Sequence, residues 1–272
     1  MSTEPRASAH LHIDDQGGTG RPVVLIHGWP LSGATWEHQL PALRAAGYRA
    51  ITYDRRGFGR SQKPASGYDY DTLAADLNAI LTDLDLKDVT LVGFSMGGGE
   101  IARYVSRYDT DRLRSVVFAS AVPPYMLKTA DNADGPLTEA KAKSTEDAVR
   151  KDRNAFFDQF TKDFFTANAT LKVSEVERQK AIAVCRQSDQ TALLGCMKAF
   201  GTTDFREDLT SVTMPALVLH GDSDSIVPFE GSGARTQKAI PNSRLVVLPG
   251  APHGCNVSHA GAFNAALIDF LQ

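Results

Sequence analysis

The chain has 272 residues, 42% of them apolar and 22% charged, with a formal net charge of −3. This is the make-up of a globular protein with one large unit or one unit carrying a sizeable insertion, and it lacks the basic footprint of a nucleic-acid binder or a polybasic membrane patch. Met1 to Gln16 is polar, without the apolar stretch of a secretory signal, every apolar run falls far short of the roughly 20 residues of a spanning helix, and Cys185, Cys196 and Cys255 form neither a C-x-x-C pair nor a disulfide framework.

Short apolar runs alternate with helix-patterned segments along the chain. Leu11-His12-Ile13, followed by Gly17-Gly18, reads as an N-terminal hairpin at a sheet edge. Val23–Ile26 is a buried-strand candidate that opens into the loop His27-Gly28-Trp29-Pro30, and Thr35–Ala46 has helical character. Arg49–Tyr53 is the next strand. It leads into Asp54-Arg55-Arg56-Gly57-Phe58-Gly59, a structural turn whose arginines are expected to be solvated. Thr72–Leu86 carries Leu73, Leu77, Ile80, Leu81 and Leu84 at three-and-four spacing, with Asp71 as the expected N-cap. Val89–Phe94 is a strand that runs into Gly93-Phe94-Ser95-Met96-Gly97, and a helix follows through Glu100 and Val105. Ser115–Ala119, Ala216–His220 and Leu245–Leu248 are the remaining strands; Glu230–Ile240 and Ser258–Leu271 are the remaining core helices. Aliphatic runs of four to six residues suit strands covered on both faces, so the alternation predicts an α/β fold with a mostly parallel, doubly wound sheet.

One stretch breaks the alternation. From Val122 to Val212 the pattern is helical and charge-rich, with no expected strand, entered at Pro123-Pro124 and left at Met214-Pro215. The expected organisation is a core of residues 1–121 and 213–272 with residues 122–212 inserted as a helical cap over the sheet's carboxyl edge, where open α/β sheets bind ligands. Its apolar residues, Phe156, Phe157, Phe160, Phe164, Phe165, Met197 and Phe200, suit either an apolar pocket or core packing at helical spacing.

The chemistry centres on Ser95. G-x-S-x-G alone recurs by chance, but strand before and helix after describe a sharp turn that lifts the serine above the sheet beside helix N-terminal N–H groups. A serine needs a base, and the base needs an orienting acid, in the chain order Ser, acid, His. His253 follows the last strand, and Asp222 and Asp224 follow the strand before it, so all lie on loops at one sheet edge. Asp224, further into its loop, is the expected acid, and Asp222 a turn former. The oxyanion donors are then the backbone N–H groups of Met96, directly after the serine, and of Trp29, in the loop after the Val23–Ile26 strand. The Trp29 indole suits a pocket wall or core packing equally, and His27 suits a structural hydrogen bonder beneath that loop.

Taken together, His27-Gly28-Trp29-Pro30, Asp54-Arg55-Arg56-Gly57, Gly93-Phe94-Ser95-Met96-Gly97-Gly98-Gly99, Ser120-Ala121-Val122-Pro123-Pro124, His220-Gly221-Asp222-Ser223-Asp224 and Ala251-Pro252-His253-Gly254 resemble the α/β-hydrolase superfamily. Within it the likeness is to the cofactor-free bacterial haloperoxidases and aryl esterases, and it spans nearly the whole chain. The resemblance implies a Ser95–Asp224–His253 triad, an oxyanion hole at Trp29 and Met96, a helical cap, an intracellular location, and no metal, haem or other cofactor. Phe94 and Met96 flanking the serine resemble the aryl-esterase members.

The function expected is a serine carboxylester hydrolase of the aryl or short-chain type, working through an acyl-enzyme on Ser95, with perhydrolysis as a side reaction. The alternatives on the same residues are an amide, lactam or C–C bond hydrolase and a non-catalytic receptor of the same fold. A haloalkane dehalogenase would need a carboxylate where Ser95 stands. The expected partner is a small-molecule ester rather than nucleic acid or membrane, in the cytoplasm, with association into a homo-oligomer compatible with the sequence.

Overall fold

The computed structural model describes residues 9–272. The reading of Met1 to Gln16 as lacking a signal therefore falls partly outside the described residues. In chain order the strands are β1 (Ile13–Asp15), β2 (Pro22–Ile26), β3 (Arg49–Tyr53), β4 (Val89–Phe94), β5 (Leu113–Ala119), β6 (Thr166–Ala167), β7 (Thr170–Leu171), β8 (Ala216–Gly221) and β9 (Arg244–Leu248). The helices are α1 (Gln39–Ala45), α2 (Tyr70–Asp83), α3 (Met96–Arg107), α4 (Glu139–Lys151), α5 (Arg153–Phe165), α6 (Glu175–Cys185), α7 (Gln190–Thr202), α8 (Gly233–Ala239), α9 (Cys255–Ser258) and α10 (Ala260–Leu271).

The central sheet is seven-stranded in the order β1-β3-β2-β4-β5-β8-β9. Every pairing is parallel except β1 with β3. β4 and β8 are buried along their whole length, as expected for strands with helices packed on both faces. Parallel order places the carboxyl ends of β2, β4, β5, β8 and β9 on one edge, and the loops that leave them carry the residues of interest. The α/β reading of the sequence holds.

Several local expectations are corrected. β1 is an edge strand but not half of a hairpin: β2 is already flanked by β3 and β4, so β1 pairs with β3, Ile13 opposite Tyr53. The cap of α2 is Asp69, whose carboxylate accepts the Thr72 N–H at 2.9 Å; Asp71 lies inside the first turn and pairs with Arg103. The segments expected as single helices at 35–46, 230–240 and 258–271 are each broken. The first two divide into a short 3-10 turn and a helix, and the third into α9 and α10 at His259. Between β5 and β8 the chain runs through α4–α7, and the expectation of no strand there is corrected by the two-residue antiparallel pair β6–β7.

Candidate active site

The turn after β4 is built by close backbone approach. Ser95 has φ 54° and ψ −118°, in the left-handed half of backbone space that a non-glycine residue rarely occupies. Its neighbours make this feasible. A Cβ on Gly93 would lie 2.5 Å from the Gly97 carbonyl oxygen, and one on Gly97 would lie 2.6 Å from the Ile26 carbonyl oxygen. The Ser95 N–H donates to the Ala119 carbonyl at 2.8 Å, its carbonyl accepts from Val122 at 3.2 Å, and the Tyr70 hydroxyl donates to the Met96 carbonyl at 3.0 Å. Strained and pinned on both sides, the serine stands at the start of α3 with its side chain free to turn outward.

The loops after β8 and β9 bring the other two residues to it. His253 Nε2 lies 2.9 Å from Ser95 Oγ, and His253 Nδ1 lies 2.6 Å from Asp224 Oδ2. Because a carboxylate only accepts, Nδ1 carries the proton and Nε2 is left to accept from the serine hydroxyl. The other Asp224 oxygen, Oδ1, accepts the N–H groups of Ile226 and Val227 at 2.9 and 2.8 Å. Burial alone would push the Asp224 carboxyl up, but His253 and His220 outweigh it and hold it well below the usual carboxylate range. Asp222 accepts instead from the Gly250 N–H at 2.7 Å and ties the β8 and β9 loops together, as a turn former should. The structure thus brings Ser95, Asp224 and His253 into one hydrogen-bonded chain and leaves Asp222 out of it.

The β2 loop lies against the serine. A Cβ on Gly28 would fall 3.0 Å from Ser95 Cβ and 2.8 Å from the Phe94 ring, so only glycine lets the Trp29 backbone approach. Beneath the loop, His27 Nε2 accepts the Arg55 N–H at 2.9 Å, so its Nδ1–H donates to the Gly28 carbonyl at 2.8 Å. Burial, helped by the Arg55 guanidinium, lowers the imidazole well below its ordinary value and keeps it neutral. His27 is therefore a structural hydrogen bonder.

The arginines after β3 depart from expectation. Arg55 and Arg56 are 1% and 7% exposed, not solvated. Arg55 pairs with the buried Glu100 of α3 and donates to the His27 carbonyl at 2.6 Å; Arg56 forks onto Asp76 of α2. Glu100 also accepts the Tyr53 hydroxyl at 2.7 Å. A charge this deep is tolerated only when paired, and the pair ties the loop after β2 to α3, the helix that follows Ser95.

Above the serine is a cavity of about 730 Å³ lined by Trp29, Ser95, Val122, Met126, Phe156, Phe160, Phe200, Ile226 and His253 among others. The Trp29 indole is both wall and packing. Its ring meets Phe156, Phe160 and Phe200 at 5.6–5.8 Å, and its Nε1–H donates to the Leu193 carbonyl at 3.1 Å. Phe156, Phe160 and Phe200 face the cavity, whereas Phe157, Phe164 and Phe165 are packed away from solvent. Phe164 and Phe94 hold the His253 ring between them, at 5.2 and 5.1 Å. Sequence reasoning missed this clasp and the buried His220 beside Asp224; the only available signal for His220 was its position at a strand end four residues before the acid.

Among the described residues one cluster, Glu37, His38 and Glu177, has metal-ligand spacing, but it lies on the surface and its carboxylates already pair with Lys180 at 3.6 and 2.8 Å. The three cysteines are free and buried, and no helix among the described residues is long and apolar enough to cross a membrane.

Comparison with known proteins agrees with this geometry. Residues 21–260 match the family described as alpha/beta hydrolase fold. The chain is 46% identical over 258 residues to a non-heme chloroperoxidase of Kitasatospora aureofaciens, covering 94% of each. It is 36% identical over 265 residues to a bifunctional esterase/perhydrolase of Acinetobacter calcoaceticus, covering 96% of each. Among solved structures, a bromoperoxidase from Bacillus anthracis superposes with a TM-score of 0.95 at 53% identity, over 97% of this chain and 95% of that one. The chain belongs to the alpha/beta hydrolase fold family, in its group of non-heme haloperoxidases and related esterases.

Proposed function

We propose that this protein is a serine carboxylester hydrolase whose acyl-enzyme can also be intercepted by hydrogen peroxide. The reading is carried by the hydrogen-bonded chain Ser95–His253–Asp224, with spacings of 2.9 and 2.6 Å, at the floor of an apolar cavity. Ser95 Oγ attacks the ester carbonyl carbon while His253 Nε2 takes the hydroxyl proton. Asp224 holds the imidazole tautomer and stabilises the imidazolium that forms. The N–H groups of Trp29 and Met96 receive the oxyanion, each such donor contributing about 3–4 kcal/mol to the transition state. The tetrahedral intermediate collapses, His253 returns the proton to the departing alkoxide, and the alcohol leaves.

Water then attacks the acyl-enzyme with His253 as base, releasing the carboxylic acid and free Ser95. With hydrogen peroxide in place of water the product is a peracid, which can oxidise halide outside the protein. The Acinetobacter relative described as an esterase/perhydrolase supports this second outcome. Residues 122–212 act in this proposal as a cap that shapes the pocket, Phe156, Phe160 and Phe200 facing the acyl or aryl group. Three free, buried thiols suit the cytoplasm. The partner is a small-molecule ester, and association into a homo-oligomer is left to solution measurement.

The test is p-nitrophenyl acetate hydrolysis by wild type and Ser95→Ala, each with and without hydrogen peroxide and bromide. Wild-type turnover with a loss of about 10⁴-fold or more in Ser95→Ala is expected. Bromination dependent on a carboxylic acid adds perhydrolysis. Equal rates from the two proteins overturn the proposal.

A further inference from the structure

Two imidazoles share the Asp224 carboxylate. His253 Nδ1 lies 2.6 Å from Oδ2, and His220 Nε2 lies 3.3 Å from the same oxygen. His220 is fully buried at the end of β8, and its Nε2 is also 2.8 Å from the Val227 carbonyl oxygen. Both neighbours of that nitrogen are acceptors, so Nε2 carries a proton; its hydrogen bond goes to the Val227 carbonyl, and Asp224 Oδ2 lies beside it in electrostatic contact. The other ring nitrogen, Nδ1, is buried with no hydrogen-bond partner. It faces Gly233, where a Cβ would lie 2.5 Å away, and the ring edge rests on Phe229 at 5.6 Å.

This asymmetry has a chemical consequence. The free nitrogen of His220, Nδ1, is closed off against Gly233 with no group to bond. A second proton on His253 sits on Nε2, which points at Ser95 and the cavity. One carboxylate therefore touches two histidines, and only His253 has its second ring nitrogen turned to the serine and the cavity. Asp224 Oδ1 accepts two backbone N–H groups and Oδ2 accepts from His253, and the His220 ring packs with Nε2 3.3 Å from Oδ2, which hems the carboxylate in facing His253. The Nε2–H dipole so close to Oδ2 stabilises its charge, and so moderates the pull of Asp224 on the His253 proton. The other titratable group at this site is Cys255, which packs against Ser120 and whose thiol burial pushes up to about 12, neutral throughout any ordinary assay.

We infer that His220 is a positioning residue for the Asp224 carboxylate. Anchored on the Val227 carbonyl, its Nε2–H edge holds the Asp224 carboxylate against His253 and restrains the basicity of the proposed Ser95–His253–Asp224 system. The inference rests on the acyl-enzyme reading above. It assigns the strand-end histidine of the His220-Gly221-Asp222-Ser223-Asp224 segment a role that packing alone would not give.

The test compares wild type with His220→Gln, His220→Leu, His220→Asn and Ser95→Ala in pH profiles of kcat and kcat/KM on p-nitrophenyl acetate, with active sites counted by fluorophosphonate titration so that unfolded protein does not enter the rate. A glutamine amide can place an N–H where Nε2 stands; leucine removes the donor, and asparagine is too short to reach. Per competent site, His220→Leu and His220→Asn are expected to lose about tenfold in kcat, and their acid limb is expected to move up by about half a pH unit, because an unshared carboxylate favours the imidazolium. His220→Gln keeps the limb and most of kcat. If the folded leucine and asparagine variants superimpose on wild type in limb and kcat, or if glutamine fails to rescue, the positioning role is overturned. Should leucine not fold, the asparagine and glutamine pair decides the matter alone. Ser95→Ala separates the two levels: full activity there removes the acyl-enzyme reading, whereas a dead Ser95→Ala with an unmoved His220→Asn profile removes only the role of His220.

Discussion

Replacing Glu100 by glutamine removes one negative charge from a site with no solvent to replace it. The Arg55 and Glu100 side chains are each 1% exposed, and the carboxylate also receives the Tyr53 hydroxyl at 2.7 Å. Glutamine keeps one acceptor oxygen but turns an N–H₂ toward a guanidinium, and it leaves Arg55 charged with the His27 carbonyl as its other side-chain acceptor. Breaking a buried pair on one side typically costs about 3–5 kcal/mol. At roughly 2–4 °C per kcal/mol for a chain of this size, Tm should fall by about 6–20 °C. The double variant Glu100→Leu/Arg55→Met buries no charge and should recover most of that stability. It should not recover activity, because the His27 carbonyl then loses its donor and the loop carrying Trp29 loosens; about a tenfold loss in kcat is expected. Thermal unfolding followed by circular dichroism, with ester hydrolysis on the same samples, measures both. A Glu100→Gln protein within about 2 °C of wild type, or a double variant as unstable as the single, would mean that the unpaired buried charge is not what costs the stability.

Three further perturbations have signed outcomes. Gly97→Ala forces a Cβ to within 2.6 Å of the Ile26 carbonyl oxygen; the backbone must shift, with about 1–3 kcal/mol lost in urea unfolding and a larger proportional loss in kcat. Full activity would mean that the turn is not so tight. Asp224 has a lowered carboxyl, so its contribution to stability is complete above about pH 5 and is lost as pH falls below the ordinary carboxylate value of about 3.9. Asp224→Asn should therefore flatten the dependence of the urea midpoint between pH 5 and 3, and parallel curves for the two proteins would contradict that. Phe156→Ala removes one ring from the Trp29 cluster; KM for phenyl esters should rise roughly 2- to 12-fold relative to acetate esters of simple alcohols, the worth of one aromatic contact of about 0.5–1.5 kcal/mol. Equal changes for both classes would place that ring outside the substrate contact.

What was legible in the sequence is what local sterics and chain order decide. The apolar run Val89–Phe94 could only be a covered strand, and Gly93 and Gly97 flank Ser95 because neighbouring carbonyl oxygens leave no space for a Cβ. Asp224 and His253 converge on Ser95 because a parallel sheet sends the loops after β4, β8 and β9 to one edge. What was not legible depends on partners distant in the chain. Arg55 looks solvated in sequence because its neutralising carboxylate is 45 residues away on α3. β1 looks like half of a hairpin because nothing local says that β2 is already flanked on both sides. Residues 258–271 read as one helix in sequence, yet the backbone leaves the helix at His259, φ −124°. The clasp of Phe94 and Phe164 on the His253 ring joins three segments, one of them from the stretch between β5 and β8, and no single window contains it.

In the proposed reaction Ser95 is the one nucleophile. The most direct measurement is covalent labelling with a fluorophosphonate, followed by intact mass and peptide mapping, on wild type, Ser95→Ala and His253→Ala. Attack by Ser95 Oγ on phosphorus expels fluoride and leaves a stable phosphonyl ester. One adduct per chain is expected, on the peptide containing Ser95, with esterase activity lost in proportion to labelling. His253→Ala should label slowly and Ser95→Ala not at all. An adduct on another residue, or full activity in a protein completely labelled at Ser95, would contradict Ser95 as the nucleophile.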